Sequence, residues 1–180
     1  MEVLKNIVYT TEDIYALPDG QRAELIDGAI YNMSPPGRIH QKLVNKLSQK
    51  ITNYIDSKKG LCEVYPAPFA VFLNNDDSTY VEPDISVICE PQKLNDKGCN
   101  GAPDWIIEIV SPSSKRMDYM IKLFKYRTAG VREYWIVDPL KNLIITYSFE
   151  ANTMEYYGFT DKIKAGIYED LEIDFSEIEL

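Results

Sequence analysis

Two short apolar runs, WIIEIV (105–110) and EYWIVD (133–138), stand on either side of one helix-length segment, and few folds accommodate that order. Each run is too short for a buried helix and is rich in β-branched and aromatic residues, which suit a strand. Pro112 ends the first run. Ser113 and Ser114 offer caps for a helix over about 115–129, and Gly130 closes it. A helix that crosses between two strands of one sheet makes that pair parallel.

The upstream elements complete a mixed α/β plan. Thr11 is placed to cap a short helix running to Leu17, ended by Pro18-Asp19-Gly20. RAELI and AIYNM flank Asp27-Gly28, a strong signal for a tight hairpin. After Pro35-Pro36-Gly37, the residues Ile39, Leu43, Leu47, Ile51, Tyr54 and Ile55 recur every three or four positions, which predicts an amphipathic helix stopped by Gly60. LCEVYPAPFAVFL (61–73) and YVEPDISVIC (80–89) read as strands on either side of a polar turn. The segment 90–103 reads as a loop, and the tail from Leu143 alternates strand-like runs with turns. No internal repeat is visible. The expected fold is an α+β mixed sheet with central order helix–strand–strand–strand–helix–strand, an N-terminal β-hairpin and a C-terminal β extension. One domain is expected over 1–180, with the hairpin at 21–33, the core at about 36–139 and an acidic extension at 143–180.

Composition bounds the function classes. With 45% hydrophobic and 26% charged residues, disordered and low-complexity readings are excluded. No window approaches a membrane-spanning length of about eighteen apolar residues. The segment MEVLKNIVYTTEDIY lacks the pattern of a secretory signal, so a cytoplasmic protein without a membrane partner is expected. Cys62, Cys89 and Cys99 show no CxxC spacing, and His40 is the sole histidine. Buried reduced thiols are expected, with neither a disulfide framework nor zinc.

The chemistry centres on two acids. If the strand with Asp84 and the strand with Glu108 form an antiparallel meander, facing residue numbers sum to a constant; for this pair the turn falls near position 96, central to the expected loop. Alternation then puts Asp84, Ser86 and Ile88 on one face, and Asp104, Ile106, Glu108 and Val110 on one face of the partner. Two carboxylates directly opposite lie about 5 Å apart and repel unless a cation intervenes. Glu108 is also the only charge inside an apolar run, and an unpaired buried carboxylate costs several kcal/mol. Magnesium or manganese suits such hard oxygen ligands. From spacing alone, an ion-pair network accounts for the two acids equally well. In the following helix Asp118, Lys122 and Tyr126 fall at i, i+4 and i+8 and share a face. If that helix packs back on the sheet, Lys122 reaches the acids; a solvated Asp118–Lys122 pair is the ordinary meaning of the spacing.

Pro83-Asp84 followed by an acid within an apolar strand resembles the PD-(D/E)XK nuclease superfamily. The string GAPDWIIEIVSPSS, then Asp118, Lys122 and Tyr126 at four-residue steps, then GVREYWIVDP, is similar to one branch of it, the Uma-two-type restriction-endonuclease family, long catalogued as a domain of unknown function. The likeness runs from RAELIDG through SPPGRIH to EYWIVDP. It implies a restriction-endonuclease-like core and hydrolysis of phosphodiester bonds in DNA. Asp84, Glu108 and the backbone carbonyl of Ile109 would hold Mg2+ or Mn2+, and Lys122 would replace the superfamily lysine, whose usual position is taken here by Val110. His40 and Glu24 are further candidate site residues, with the ordinary reading of a lone helix-face histidine being structural.

The alternative is a catalytically weak or inactive nuclease-fold module that binds nucleic acid or a protein partner. Val110 and a net charge of −9 favour it; the Asp84, Glu108 and Lys122 set favours the enzyme. The charge is uneven, however. Residues 36–60 and 115–132 each carry six basic side chains against one acidic, whereas 150–180 carry two against nine. Solvated helix faces explain such segments, yet a DNA substrate is not excluded by the total. Cutting both strands of a duplex is simplest for a homodimer. The SPSS segment lacks a nucleophile elbow, and no phosphate-binding glycine loop is present. The thirteen tyrosines are scattered too widely to form a stacking platform.

Overall fold

The computed structural model describes residues 7–74 and 76–180. Helix α1 (Thr11–Tyr15) leads into the hairpin β1 (Ala23–Ile26) and β2 (Ala29–Asn32), then the long helix α2 (Arg38–Lys58). Six short strands come next: β3 (Glu63–Pro66), β4 (Val71–Phe72), β5 (Tyr80–Val81), β6 (Ile85–Ile88), β7 (Leu94–Asn95) and β8 (Gly98–Asn100). The crossover unit consists of β9 (Trp105–Ile109), a π-helical turn (Met117–Lys122), α3 (Leu123–Ala129) and β10 (Glu133–Asp138). Strands β11 (Leu143–Ser148), β12 (Thr153–Tyr157), β13 (Lys162–Lys164) and β14 (Glu172–Asp174) follow.

The principal sheet has strand order β12-β11-β10-β9-β6-β3. β9 and β10 are parallel, as a crossover requires, and β6 runs antiparallel to β9. Ile85 faces Ile107 and Val87 faces Trp105, so Asp84 and Glu108 fall opposite one another in the same register. Leu43, Leu47 and Ile51 of α2 bury against Ile85, Val87, Trp105 and Ile107 on one face. Tyr126 of α3 packs with Ile106, Val110, Tyr134 and Ile136 on the other. Each fully buried side chain of this kind contributes about 1.5–3 kcal/mol, so both helices are held firmly to the sheet. Ile39, at the solvent end of the apolar stripe, stays exposed.

The Asp27-Gly28 turn forms as expected, with both residues at positive φ (50° and 74°) and Ile26 facing Ala29 across it. Other expectations need correction. The cap of α1 is Thr10, whose N–H donates to the Asp13 carboxylate at 2.7 Å, and the helix stops at Tyr15. Each long strand-like stretch splits in two. Pro66, Pro68 and Pro83 lack the N–H a ladder needs, so the chain leaves the principal sheet there. The detached pieces join the hairpin in a second sheet, β2-β1-β5-β4-β8-β7.

The expected loop at 90–103 contributes β7 and β8 to that sheet. Gly98, at φ 138°, passes so close to the Ala70 carbonyl that a Cβ would lie 2.2 Å from its oxygen. The thiol expectation is also corrected. Cys62 and Cys89 are joined by a disulfide across β3 and β6, while Cys99 is free and buried. Glu63 faces Ile88 in that ladder, which brings the flanking cysteines opposite each other. Cysteine spacing along the chain carries no trace of this register. Among the described residues, no helix is long and apolar enough to cross a membrane.

Candidate active site

Asp84 and Glu108 sit where β6 and β9 open beside the N-terminus of α2, in a cavity of about 380 Å³. The two acids are linked through the backbone. The Asp84 N–H donates to Glu108 Oε2 at 3.3 Å, and the Ile109 N–H donates to Asp84 Oδ2 at 2.8 Å. The same Asp84 oxygen lies 3.1 Å from His40 Nε2, on the first turn of α2. His40 lies beyond the Pro-Pro-Gly hinge, and that placement brings the chain's one imidazole to the Asp84 carboxylate. His40 Nδ1 is buried without a hydrogen-bond partner among the described residues.

Lys122 enters from the opposite side. Its Nζ lies 2.9 Å from Glu108 Oε1, 2.9 Å from Glu24 Oε1 and 4.0 Å from Asp118 Oδ1. Lys122 is only 5% exposed and Glu108 only 2%. Tyr126 completes the shell of Glu108, its hydroxyl donating to Oε1 at 2.6 Å. Glu24 is carried in by β1 and also accepts the Glu82 N–H at 2.9 Å. Asp118, Lys122 and Tyr126 all point inward because of the π turn. Four residues overshoot one α-helical turn of 3.6, so equal steps drift around the helix; a wider turn offsets the drift.

Two cap interactions fix the start of this segment. Ser111 N–H donates to Ser114 Oγ at 3.0 Å, and Ser114 Oγ donates to Asp118 Oδ2 at 2.5 Å. The serines thus orient an acid of the site rather than serving as nucleophiles. Asp118 Oδ1 is left buried with no hydrogen bond among the described residues.

Charge in the cavity is unbalanced. Burial would push the Lys122 ammonium down, but Glu108, Glu24 and Asp118 together hold it well above its ordinary value. Burial drives Glu108 well above the usual carboxylate range despite Lys122, and Asp84 and Asp118 add to the rise. Burial likewise raises Asp118 to about 6, against the pull of Lys122 and Ser114. Burial alone would lower His40, yet the Asp84 carboxylate brings it above its ordinary value. Four carboxylates around one ammonium and one imidazole therefore leave an excess of negative charge, and one buried carboxylate oxygen accepts no hydrogen bond among the described residues. That donor set fits a hard divalent cation. No cluster of three or more metal-binding side chains is already arranged around one point among the described residues.

All the candidates from the sequence, Glu24, His40, Asp84, Glu108, Ile109, Asp118 and Lys122, line this one cavity, with Tyr126 directly behind Glu108. Arg22 and Glu82 line it too and were not anticipated. Arg22 Nε donates to Glu82 Oε2 at 3.0 Å, and Tyr80 donates to Glu82 Oε1 at 2.7 Å. Their only sequence signal is proximity, since Arg22 lies two residues before Glu24 and Glu82 two before Asp84.

A mixed sheet that sets an aspartate opposite a glutamate on antiparallel strands, with a lysine supplied by the crossover helix, is of the restriction-endonuclease-like class. The chain belongs to the Uma2 family, described as "Putative restriction endonuclease", whose family model matches residues 11–175. A crystal structure of "a putative nuclease belonging to DUF820" from Anabaena variabilis ATCC 29413 has the same fold, with a TM-score of 0.76. It is 17% identical and the match covers 94% of this chain and 96% of that one. A relative from Synechocystis sp. (strain ATCC 27184 / PCC 6803 / Kazusa), "Uncharacterized protein slr1290", is 29% identical over 98 residues. That match spans 54% of this chain and about half the length of the relative, 50%.

Proposed function

We propose that the protein is a metal-dependent DNA endonuclease that hydrolyses phosphodiester bonds. The observation that carries this reading is Lys122, held between Glu24 and Glu108 in the wall of the cavity that Asp84 also lines. A lysine that only balanced charge would need no access to that cavity.

Asp84, Glu108 and the Ile109 carbonyl would hold Mg2+ or Mn2+. When bound, such an ion lowers the pKa of a coordinated water and polarises the scissile phosphate. Lys122 presents a permanent positive charge where a pentacoordinate phosphate would accumulate negative charge, the largest contribution in reactions of this kind. Glu24 and Glu108 hold the ammonium by two contacts, so it needs no reorganisation as charge develops. Tyr126 fixes the Glu108 carboxylate by its hydroxyl, and Ser114 fixes Asp118. His40 Nε2 faces Asp84 at 3.1 Å and can hold or release a proton at that oxygen. Cleavage of both strands of a duplex would call for two copies related by a two-fold axis.

Val110 favours the second reading, a nuclease-fold module that binds nucleic acid or a protein partner without cutting. It is buried at 2% exposure where the superfamily lysine would stand. The deciding experiment is incubation of supercoiled and branched DNA with the protein in Mg2+ or Mn2+. Cleavage abolished by chelator and restored by added metal supports the enzyme. Binding without cleavage under every metal condition supports the module.

A further inference from the structure

A second cavity, of about 580 Å³, lies between α2 and the edge strand β3. Its helix wall presents the amides and hydroxyls of Asn45, Ser48, Gln49, Thr52 and Asn53 around the buried Val44. Val64 and Pro66 of β3 form the other side. Gln41 and Ala67 line both this groove and the candidate active site, so the two adjoin. Asn45, Gln49, Thr52 and Asn53 are exposed; the Ser48 hydroxyl is buried and has no hydrogen-bond partner among the described residues.

The charge of this wall is exceptional for the chain. Between Asp27 and Asp56 there is no acidic residue, although 28 of 180 residues are acidic. Arg38, Lys42, Lys46 and Lys50 fall in the same interval, and of these only Lys50 is ion-paired, to Glu177, among the described residues. A surface stripped of acids in a protein of net charge −9 is where a polyanion meets least repulsion. Asn, Gln, Ser and Thr side chains donate to phosphate and sugar oxygens and to base edges without needing a charge. From Gln41 to Asn53 the helix rises about 18 Å, long enough to border several nucleotides of one strand.

We propose that this groove is the track along which one strand of a polynucleotide runs out of the candidate active site, held by the amide and hydroxyl wall of α2. The assignment deepens the proposed function and rests on it. The strand's phosphates lie along Asn45, Gln49 and Asn53, and Gln41 hands it from the cavity to the groove.

The test is an Asn45→Glu/Gln49→Glu variant of the full chain. Both positions are exposed and outside the catalytic set, so the fold is retained. Two substrates separate the groove from the chemistry: a single strand of about twenty nucleotides, which spans both, and bis(p-nitrophenyl) phosphate, which fits the catalytic cavity alone. The variant is expected to lose roughly tenfold or more in affinity for the strand, because like charges now face each other, while hydrolysis of the small ester is unchanged. A variant that binds the strand as tightly as the wild type overturns the proposal. So does wild-type protein that hydrolyses the small ester but binds the long strand no better than a trinucleotide; in that case the proposed function survives. Wild-type protein that neither hydrolyses the ester nor binds the strand overturns both. A shift from dimer to monomer in light scattering, with strand affinity unchanged, assigns the groove to a second copy and contradicts the proposal.

Discussion

Lys122 Nζ lies 2.9 Å from Glu108 Oε1, and both groups are almost wholly removed from solvent. One comes from the middle of an apolar strand and the other from the π turn that follows it, so the crossover unit itself assembles the pair. Removing the lysine alone would strand Glu108 and Glu24 as buried, unpaired carboxylates. Lys122→Met is therefore expected to lower stability by about 3–5 kcal/mol, and adding Glu108→Gln to recover part of that loss. Urea unfolding of the four proteins of the cycle measures the coupling; additive losses would mean that the two groups do not interact.

Tyr126 donates to the same Glu108 oxygen at 2.6 Å from a fully buried position. Tyr126→Phe keeps the ring and deletes only the donor. A loss of about 1.5–3 kcal/mol is expected, the range for a hydrogen bond to a charged group. A loss below about 0.5 kcal/mol, the level of an ordinary surface change, would show that the hydroxyl carries little of the site's order.

Asp118 has a raised folded-state pKa of about 6, with burial as the first cause. A raised carboxylate favours the folded state while it is protonated, so that stability is present below the unfolded pKa and is lost as pH rises through about 6. Asp118→Asn removes the penalty. In metal-free protein the variant is expected to be more stable above pH 6 by up to about 3 kcal/mol, the gain vanishing below about pH 4. Thermal melts across that range check it; a gain independent of pH would contradict the assignment.

A cation that binds only the folded protein raises its stability by about 2.7 kcal/mol at one hundred times its Kd. Mg2+ or Mn2+ is expected to raise the melting temperature of the wild type and to leave Asp84→Asn unmoved. An equal rise in both proteins would place the cation elsewhere.

Much of this site was legible in the sequence because its parts are local or periodic. The Asp84–Glu108 register followed from centring one turn between two strands, and the ladder has that register. Asp118, Lys122 and Tyr126 shared a face by spacing, and the helix does turn all three inward. The features that escaped are set by contacts between distant segments. Glu24 is a candidate in the sequence through the family likeness, but its Lys122 partner is not; nor does anything near Cys62 signal that it will face Cys89. The prolines at 66, 68 and 83 stand inside the two stretches read as unbroken strands, and only the tertiary pairing makes them exits into a second sheet. The π turn is a wider winding of a helix whose residue pattern is ordinary, so it left no mark beyond the inward Asp118.

The assignment of hydrolysis to the Asp84–Glu108–Lys122 centre is tested most directly by nicking of supercoiled DNA in Mg2+ or Mn2+. Wild type, Asp84→Asn and Lys122→Met are compared below the melting temperature of each. Nicking by the wild type that disappears in both variants, with Asp84→Asn still folded, is the expected result. Nicking that persists undiminished in the two variants contradicts it.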